Sequence, residues 1–366
     1  MIRRILNSVI PPSSGQRFPA LDGLRALAAL GVVALHSVVM SVGDSFFGRT
    51  MWKLGLMSVC TFFVLSAFLL YYPLAAGKNQ NIATYFKRRF FRIVPAYVML
   101  FPFAVTPILF WVRQQHHHHS FHWDSVIARL FFVQTWMHGG VITLDGAWSL
   151  APEVHFYLLL PLLVIIAARS LRRVILFAAA VLVLQTCISG PEDAILWHNL
   201  PLLLLPFFFG MLAALAVARY EKTLSRLVFL APLGLLALYL FPLLAPFKFP
   251  EHFPARQGLL VALANPRGLW PSLACAAAVA GLATSKGWCA RLLSAAWIRM
   301  LGICSYGMFL FNWPVFFFLA VASHGNRLIV LAGIPISIAI GIFSYFLVEA
   351  PAMRFGARKS APAAKT

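Results

Sequence analysis

Three short polar clusters interrupt an otherwise apolar chain, and each could do chemistry. The first is Leu21-Asp22-Gly23-Leu24-Arg25-Ala26, followed by an apolar run that reaches His36. Arg25 and His36 are eleven residues apart, which on a helix puts them within about 20° of one face and about 16 Å apart along the axis. With Arg25 at the cytoplasmic interface, His36 lies near mid-membrane. An imidazole is neutral for much of the time near pH 7, and a medium without water disfavours its charged form. A neutral buried imidazole can act as a general base, or it can simply bridge two helices by hydrogen bonds.

The second cluster is Lys87-Arg88-Arg89-Phe90-Phe91-Arg92, ahead of Pro95. Arg89 and Arg92 are i, i+3 neighbours on one helical face. Two guanidiniums held together can grip a phosphate bidentately; the same charge can equally mark the cytoplasmic end of a span. The third is Trp148-Ser149-Leu150-Ala151-Pro152-Glu153, with Tyr157 four residues beyond the carboxylate. Ser149 suits a helix cap, and Pro152 in the first turn gives up an amide hydrogen that has no partner there. A carboxylate so close to the start of a membrane helix needs either a structural ion pair or an acid/base task, and both readings stand.

Other polar features carry less. His116-His117-His118-His119 with His122 read as a solvated loop, and no metal is called for. Ser66, within Phe62-Phe63-Val64-Leu65-Ser66-Ala67-Phe68-Leu69, is a small residue that lets helices approach closely. The five cysteines are scattered, with no Cys-x-x-Cys, and read as small buried hydrophobes rather than a disulfide or zinc framework.

The elements that hold these clusters must sit in lipid. Of 366 residues, 61% are hydrophobic and 11% charged, and the mean hydropathy is +0.83; soluble domains are about 45–50% apolar and about 25% charged. No soluble core of this size could bury the excess. The formal charge of +20 lies in short clusters between apolar runs, not on a basic face of a polar fold, so nucleic acid is excluded as a partner. The sequence predicts an all-α, polytopic integral membrane protein with about ten transmembrane helices near 20–41, 52–72, 92–112, 148–168, 173–190, 200–218, 227–246, 269–284, 301–322 and 328–348. The stretch 121–147 is broken by His138-Gly139-Gly140 and Asp145-Gly146 and reads as re-entrant or interfacial. Counted over the resulting loops, Lys and Arg divide 22 against 8 in favour of both termini inside. The first apolar run has no small-residue cleavage site after it and is expected to stay. Residues 1–19 read as a cytoplasmic segment, 20–350 as the transmembrane domain and 351–366 as a cytoplasmic tail, with no extracellular hydrolase-like domain appended.

In order along the chain, the clusters resemble the membrane acyltransferase-3 family of bacterial proteins that acylate hydroxyls of cell-surface glycans and other sugars. The likeness rests on Leu21 to Ala26, the Arg-x10-His spacing of Arg25 and His36, and the aromatic run 62–69. It continues through Arg89 and Arg92 with Pro95 and Tyr97, then Trp148-Ser149-Leu150 with Glu153, Phe156 and Tyr157, and ends with Leu301-Gly302, Ser305-Tyr306 and Trp313-Pro314. Two positions depart from the family pattern. Ala67 stands where a glycine is usual, and Asn312 stands where a histidine commonly precedes Trp-Pro; asparagine can hydrogen-bond but cannot shuttle a proton.

The resemblance implies a bacterial inner-membrane enzyme that takes an acyl group, usually acetyl, from cytoplasmic acyl-CoA and passes it to a hydroxyl acceptor within or across the membrane. No tightly bound cofactor is implied. On this reading Arg89 and Arg92 bind the acyl-CoA phosphates. His36 is the general base or acyl relay, assisted by Arg25 and Glu153. Asp22, Ser66, Trp148, Tyr157, Tyr306 and Asn312 position substrate. The arginines are expected on the cytoplasmic side, His36 midway, and Glu153 toward the far side. The competing class is a transporter or flippase for a glycan or lipid-linked sugar, but internal repeats and paired broken helices are not evident.

Overall fold

The computed structural model describes residues 18–43, 45–115, 123–136, 148–167, 169–187, 200–244 and 268–358. Among them the chain is helical throughout, with no strand. In order the helices are α1 Pro19–Val42, α2 Phe46–Ala75, α3 Ile82–Gln115, α4 Trp123–Leu130, α5 Leu150–Ala167, α6 Leu171–Cys187, α7 Leu200–Arg226, α8 Leu230–Leu244 and α9 Leu269–Thr284. They continue with α10 Trp288–Leu293, α11 Ala296–Ile303, α12 Ser305–Ala322, α13 Arg327–Leu331 and α14 Gly333–Ser344, then a π-helical turn Tyr345–Glu349 and α15 Ala350–Arg358.

Among the described residues, six stretches are long and apolar enough to cross a bilayer: Pro19–Val42, Phe46–Ala75, Leu150–Ala167, Leu203–Arg226, Ser305–Ala322 and Arg327–Ala357. Leu230–Leu240 and Leu269–Thr284 are apolar but shorter. The expected span 92–112 falls within α3, whose first turns carry the basic cluster, and 173–190 overlaps the 17-residue α6. Of the segment expected to re-enter, α4 is eight residues, about 12 Å, too short to cross about 30 Å of hydrocarbon. Residues 1–17, 116–122 with its histidines, 137–147 and 359–366 lie outside the described residues.

α1 is the central strut, packed along α2, α11 and α12. Its buried face is rich in small residues: Ala26, Ala28 and Ala29 are fully covered. In lipid, apolar surface alone gives helices little reason to associate, so close backbone approach and interhelical polar bonds do that work. The α2–α7 contact follows the same rule. A Cβ at Gly210 would meet the Val64 carbonyl and the Ala67 Cβ. The methyl of Ala67 is accommodated because a glycine, Gly210, stands opposite it on α7.

Aromatic stacking sets the register of the site helices. Phe207 of α7 stacks on Phe63 of α2 at 4.7 Å and on Phe156 of α5 at 4.1 Å between ring centroids. Ser66 is one turn beyond Phe63, and Glu153 one turn before Phe156, so the sandwich brings the serine to the carboxylate.

Candidate functional site

α3 starts behind Asn81, whose Oδ1 accepts the Thr84 amide at 3.0 Å, as an N-capping residue does. Once the helix is started, the i, i+3 spacing decides which basic side chains turn inward. Arg88 is exposed, whereas Arg89 and Arg92 are half-buried. The Arg89 guanidinium carbon lies 5.8 Å from the Tyr157 ring centroid, within cation–π range. Arg25 of α1 is in electrostatic reach of Arg92, Tyr157 and Glu153. The three guanidiniums, which come from two separate motifs, are thus brought into one cluster.

The acid of that cluster is Glu153. Ser66 Oγ donates to Glu153 Oε1 at 2.7 Å, and the Tyr157 hydroxyl donates to the same oxygen. With both hydrogens committed to the carboxylate, the 2.9 Å approach of Ser66 Oγ to the Tyr157 oxygen closes a triangle. Glu153 therefore sits with the arginines. It does not lie on the far side of His36, because its partner Ser66 stands in the last third of α2, toward the end that leads into α3. Ser66 does more than allow close packing: it is one of the two donors that orient the carboxylate.

Three tyrosine hydroxyls fix α3 against its neighbours. Tyr85 donates to the Tyr157 carbonyl, Tyr97 to the Arg129 carbonyl and Tyr306 to the Ile93 carbonyl, each at 3.0 Å. Tyr306, expected to position substrate, thereby joins α12 to α3 next to Arg92 and lies in electrostatic reach of Glu349 and Glu153.

His36 forms a second centre. Its Nδ1 is hydrogen-bonded to Asn312 Oδ1, and the ring meets Trp313 edge-on at 5.2 Å. At the other end of this pair of helices, Gly302, just ahead of α12, abuts the Asp22 carbonyl. α1 and α12 therefore run side by side in the same direction. His36 lies about 16 Å further along α1 than Arg25.

The remaining expected positions are placed as follows. Asp22 is 3.6 Å from Arg299 Nε, an ion pair that ties α11 to α1. Trp148 is half-buried and packs against the core just before α5. Two residues of the cluster are not singled out by the sequence. Glu349 is 3% exposed, accepts from Ser344 Oγ at 3.1 Å, and lies in electrostatic reach of Arg92. Tyr85 is the other. The available signal for Glu349 was an acidic residue closing an apolar span in a chain with only ten Asp and Glu. The π-helical turn that aims it, a device frequent at functional sites, leaves no mark in the sequence.

Residues 18–347 match the family described as the acyltransferase domain. The chain belongs to this family. Among similar proteins, acyltransferase MdmB of Streptomyces mycarofaciens is 33% identical over 155 residues, 40% of this chain and 39% of that protein. YrhL of Bacillus subtilis, provisionally named a peptidoglycan O-acetyltransferase, is 25% identical over 380 residues, 93% of this chain and 55% of that protein. O-acetyltransferase OatA of Staphylococcus aureus is 28% identical over 165 residues, 41% of this chain and 25% of that protein. The chain thus matches between a quarter and about half of the length of these relatives. No solved structure matches it.

Proposed function

We propose that the protein transfers an acyl group, acetyl in the first instance, from acyl-CoA to a hydroxyl of a sugar or other acceptor outside the cytoplasm. Arg89, Arg92 and Arg25 grip the donor phosphates from the cytoplasmic side, and the thioester end of the donor extends along α1 to His36. The imidazole then takes the proton of the acceptor hydroxyl, or receives the acyl group and passes it on. Glu153, oriented by Ser66 and Tyr157, balances the arginines and keeps them apart. About ten passes, both termini in the cytoplasm and residence in the bacterial inner membrane complete the proposal, supported by the distribution of Lys and Arg.

One observation supports the donor site above all. Three arginines converge on two carboxylates, Glu153 and Glu349, and among the described residues the Arg89 Nε is buried with no hydrogen-bond partner. A buried donor left unmade costs about 1–3 kcal/mol, more on a charged group, and an excess of buried positive charge costs more again. A polyanionic ligand would supply both the missing acceptor and the missing charge. The family's acyl-transfer chemistry makes acyl-CoA the polyanion of choice.

The test is direct. Protein purified into lipid nanodiscs is given radiolabelled acetyl-CoA and a hydroxyl acceptor, and transferred label is counted. Label that moves into the acceptor, saturably in acetyl-CoA, is the expected result; a protein that neither binds nor turns over acetyl-CoA contradicts the proposal. A glycan flippase would instead move its cargo across a proteoliposome membrane without consuming the donor.

A further inference from the structure

The hydrogen-bond pattern around Asn312 assigns a specific form to His36. Asn312 is fully buried, and its amide nitrogen donates to two main-chain carbonyls of its own helix, Met308 at 3.1 Å and Phe309 at 2.5 Å. Reversing the amide would set its oxygen against both carbonyl oxygens, three acceptors with no hydrogen among them. The nitrogen side is therefore committed to α12, and the oxygen must face the imidazole. An amide oxygen only accepts, so the His36 Nδ1 that bonds to it must carry the hydrogen.

We infer that Asn312 is a positioning residue that holds His36 as the Nδ1–H tautomer and leaves Nε2 as the nitrogen with the free lone pair. The inference rests on the proposed base or relay role of His36 for its functional meaning, but the tautomer is a property of the protein alone. In the general-base form, Nε2 takes the proton as the acceptor oxygen attacks the thioester carbonyl. The C–S bond then breaks, and the departing thiolate recovers the proton from Nε2. Through both steps Nδ1 keeps its hydrogen on Asn312. Asparagine thereby steers the ring without taking a proton, so the absence of a shuttling histidine at this position does not disable the site. Trp313, the next residue, holds the ring from the side, so two adjacent positions of α12 fix both its protonation and its plane.

The experiment uses the full chain, ring-15N-labelled at histidine, in nanodiscs. Two-bond nitrogen–proton couplings report which ring nitrogen is protonated, and the His36 signals are identified by their loss in His36→Gln. Wild-type protein is expected to show Nδ1–H. A predominantly Nε2–H ring overturns the inference whatever the activity does. Asn312→Leu should release the tautomer into a mixture and lower kcat about 10–100-fold, the range that outer partners of ligating histidines command, with KM for acetyl-CoA unchanged. A Leu variant that keeps the wild-type tautomer also overturns it, and one that releases the tautomer at wild-type kcat, where His36→Gln lowers kcat, overturns the positioning role of Asn312. If His36→Gln keeps full turnover while the wild-type ring is Nδ1–H, the role proposed for His36 fails and the Asn312 lock stands.

Discussion

The hydroxyl of Tyr85 donates to the main-chain carbonyl of Tyr157 at 3.0 Å, and Pro161 stands four residues after that carbonyl. In an uninterrupted helix the residue at 161 would donate its amide hydrogen there; proline has none. Tyr85 thus supplies from α3 the bond that α5 cannot make for itself, one turn below Glu153. The same bond that repairs a proline break fixes the arginine helix to the carboxylate helix.

Tyr85→Phe is accordingly expected to cost stability. It leaves a buried carbonyl unpaired, worth about 1–3 kcal/mol, and should lower the thermal midpoint of the detergent-solubilised protein. An unchanged midpoint would mean that another group reaches the Tyr157 carbonyl.

Arg89→Gln and Arg92→Gln each remove a charge from the proposed donor site. Hydrogen bonds to charged groups are worth about 1.5–3 kcal/mol, so the KM for acetyl-CoA should rise about ten- to a hundredfold at 1.4 kcal/mol per tenfold. Arg88→Gln, on the exposed side of the same turn, should leave it unchanged. Saturation curves for the three variants distinguish a phosphate grip from general cytoplasmic charge, which would make all three alike.

Ser66→Ala and Tyr157→Phe each take one hydrogen from Glu153 Oε1. Tyr157→Phe retains the ring under Arg89 but loses the hydroxyl, so it separates the carboxylate contact from the cation–π contact. A fall in kcat/KM in both variants is expected, measured by transfer of labelled acetyl. Wild-type kinetics in both would make the triangle a packing feature only.

Gly210→Ala should destabilise the α2–α7 contact by about 1–3 kcal/mol, the usual cost of overpacking. Ala67→Gly in the same chain should recover only part of it, because the Val64 carbonyl also lies in the way. Thermal midpoints of the two single variants and the double variant measure the coupling; full additivity would show that the two residues do not meet.

Helical periodicity carried much of this site into the sequence. The i, i+3 spacing of Arg89 and Arg92 places both inward, and the i, i+4 spacing of Glu153 and Tyr157 gives a hydrogen bond. What periodicity does not carry is depth and partnership between helices. Glu153 bonds to Ser66 in the last third of α2, which brings it to the arginines, and the apolar pattern of α5 itself does not announce that partner. Asp22, next to Arg25 in the motif, pairs instead with Arg299, more than 270 residues away along the chain. Glu349 depends on a π-helical turn that no residue type announces. The span count meets the same limit: hydropathy marks 92–112 and 173–190 as apolar but does not fix how much of each lies in lipid.

The central claim is that His36 is the reacting group, and one variant tests it most directly. His36→Ala protein that elutes as wild type in detergent and still binds acetyl-CoA should transfer labelled acetyl to acceptor at least about 10²-fold more slowly, the lower bound for a lost general base. Transfer at the wild-type rate by that variant would contradict it.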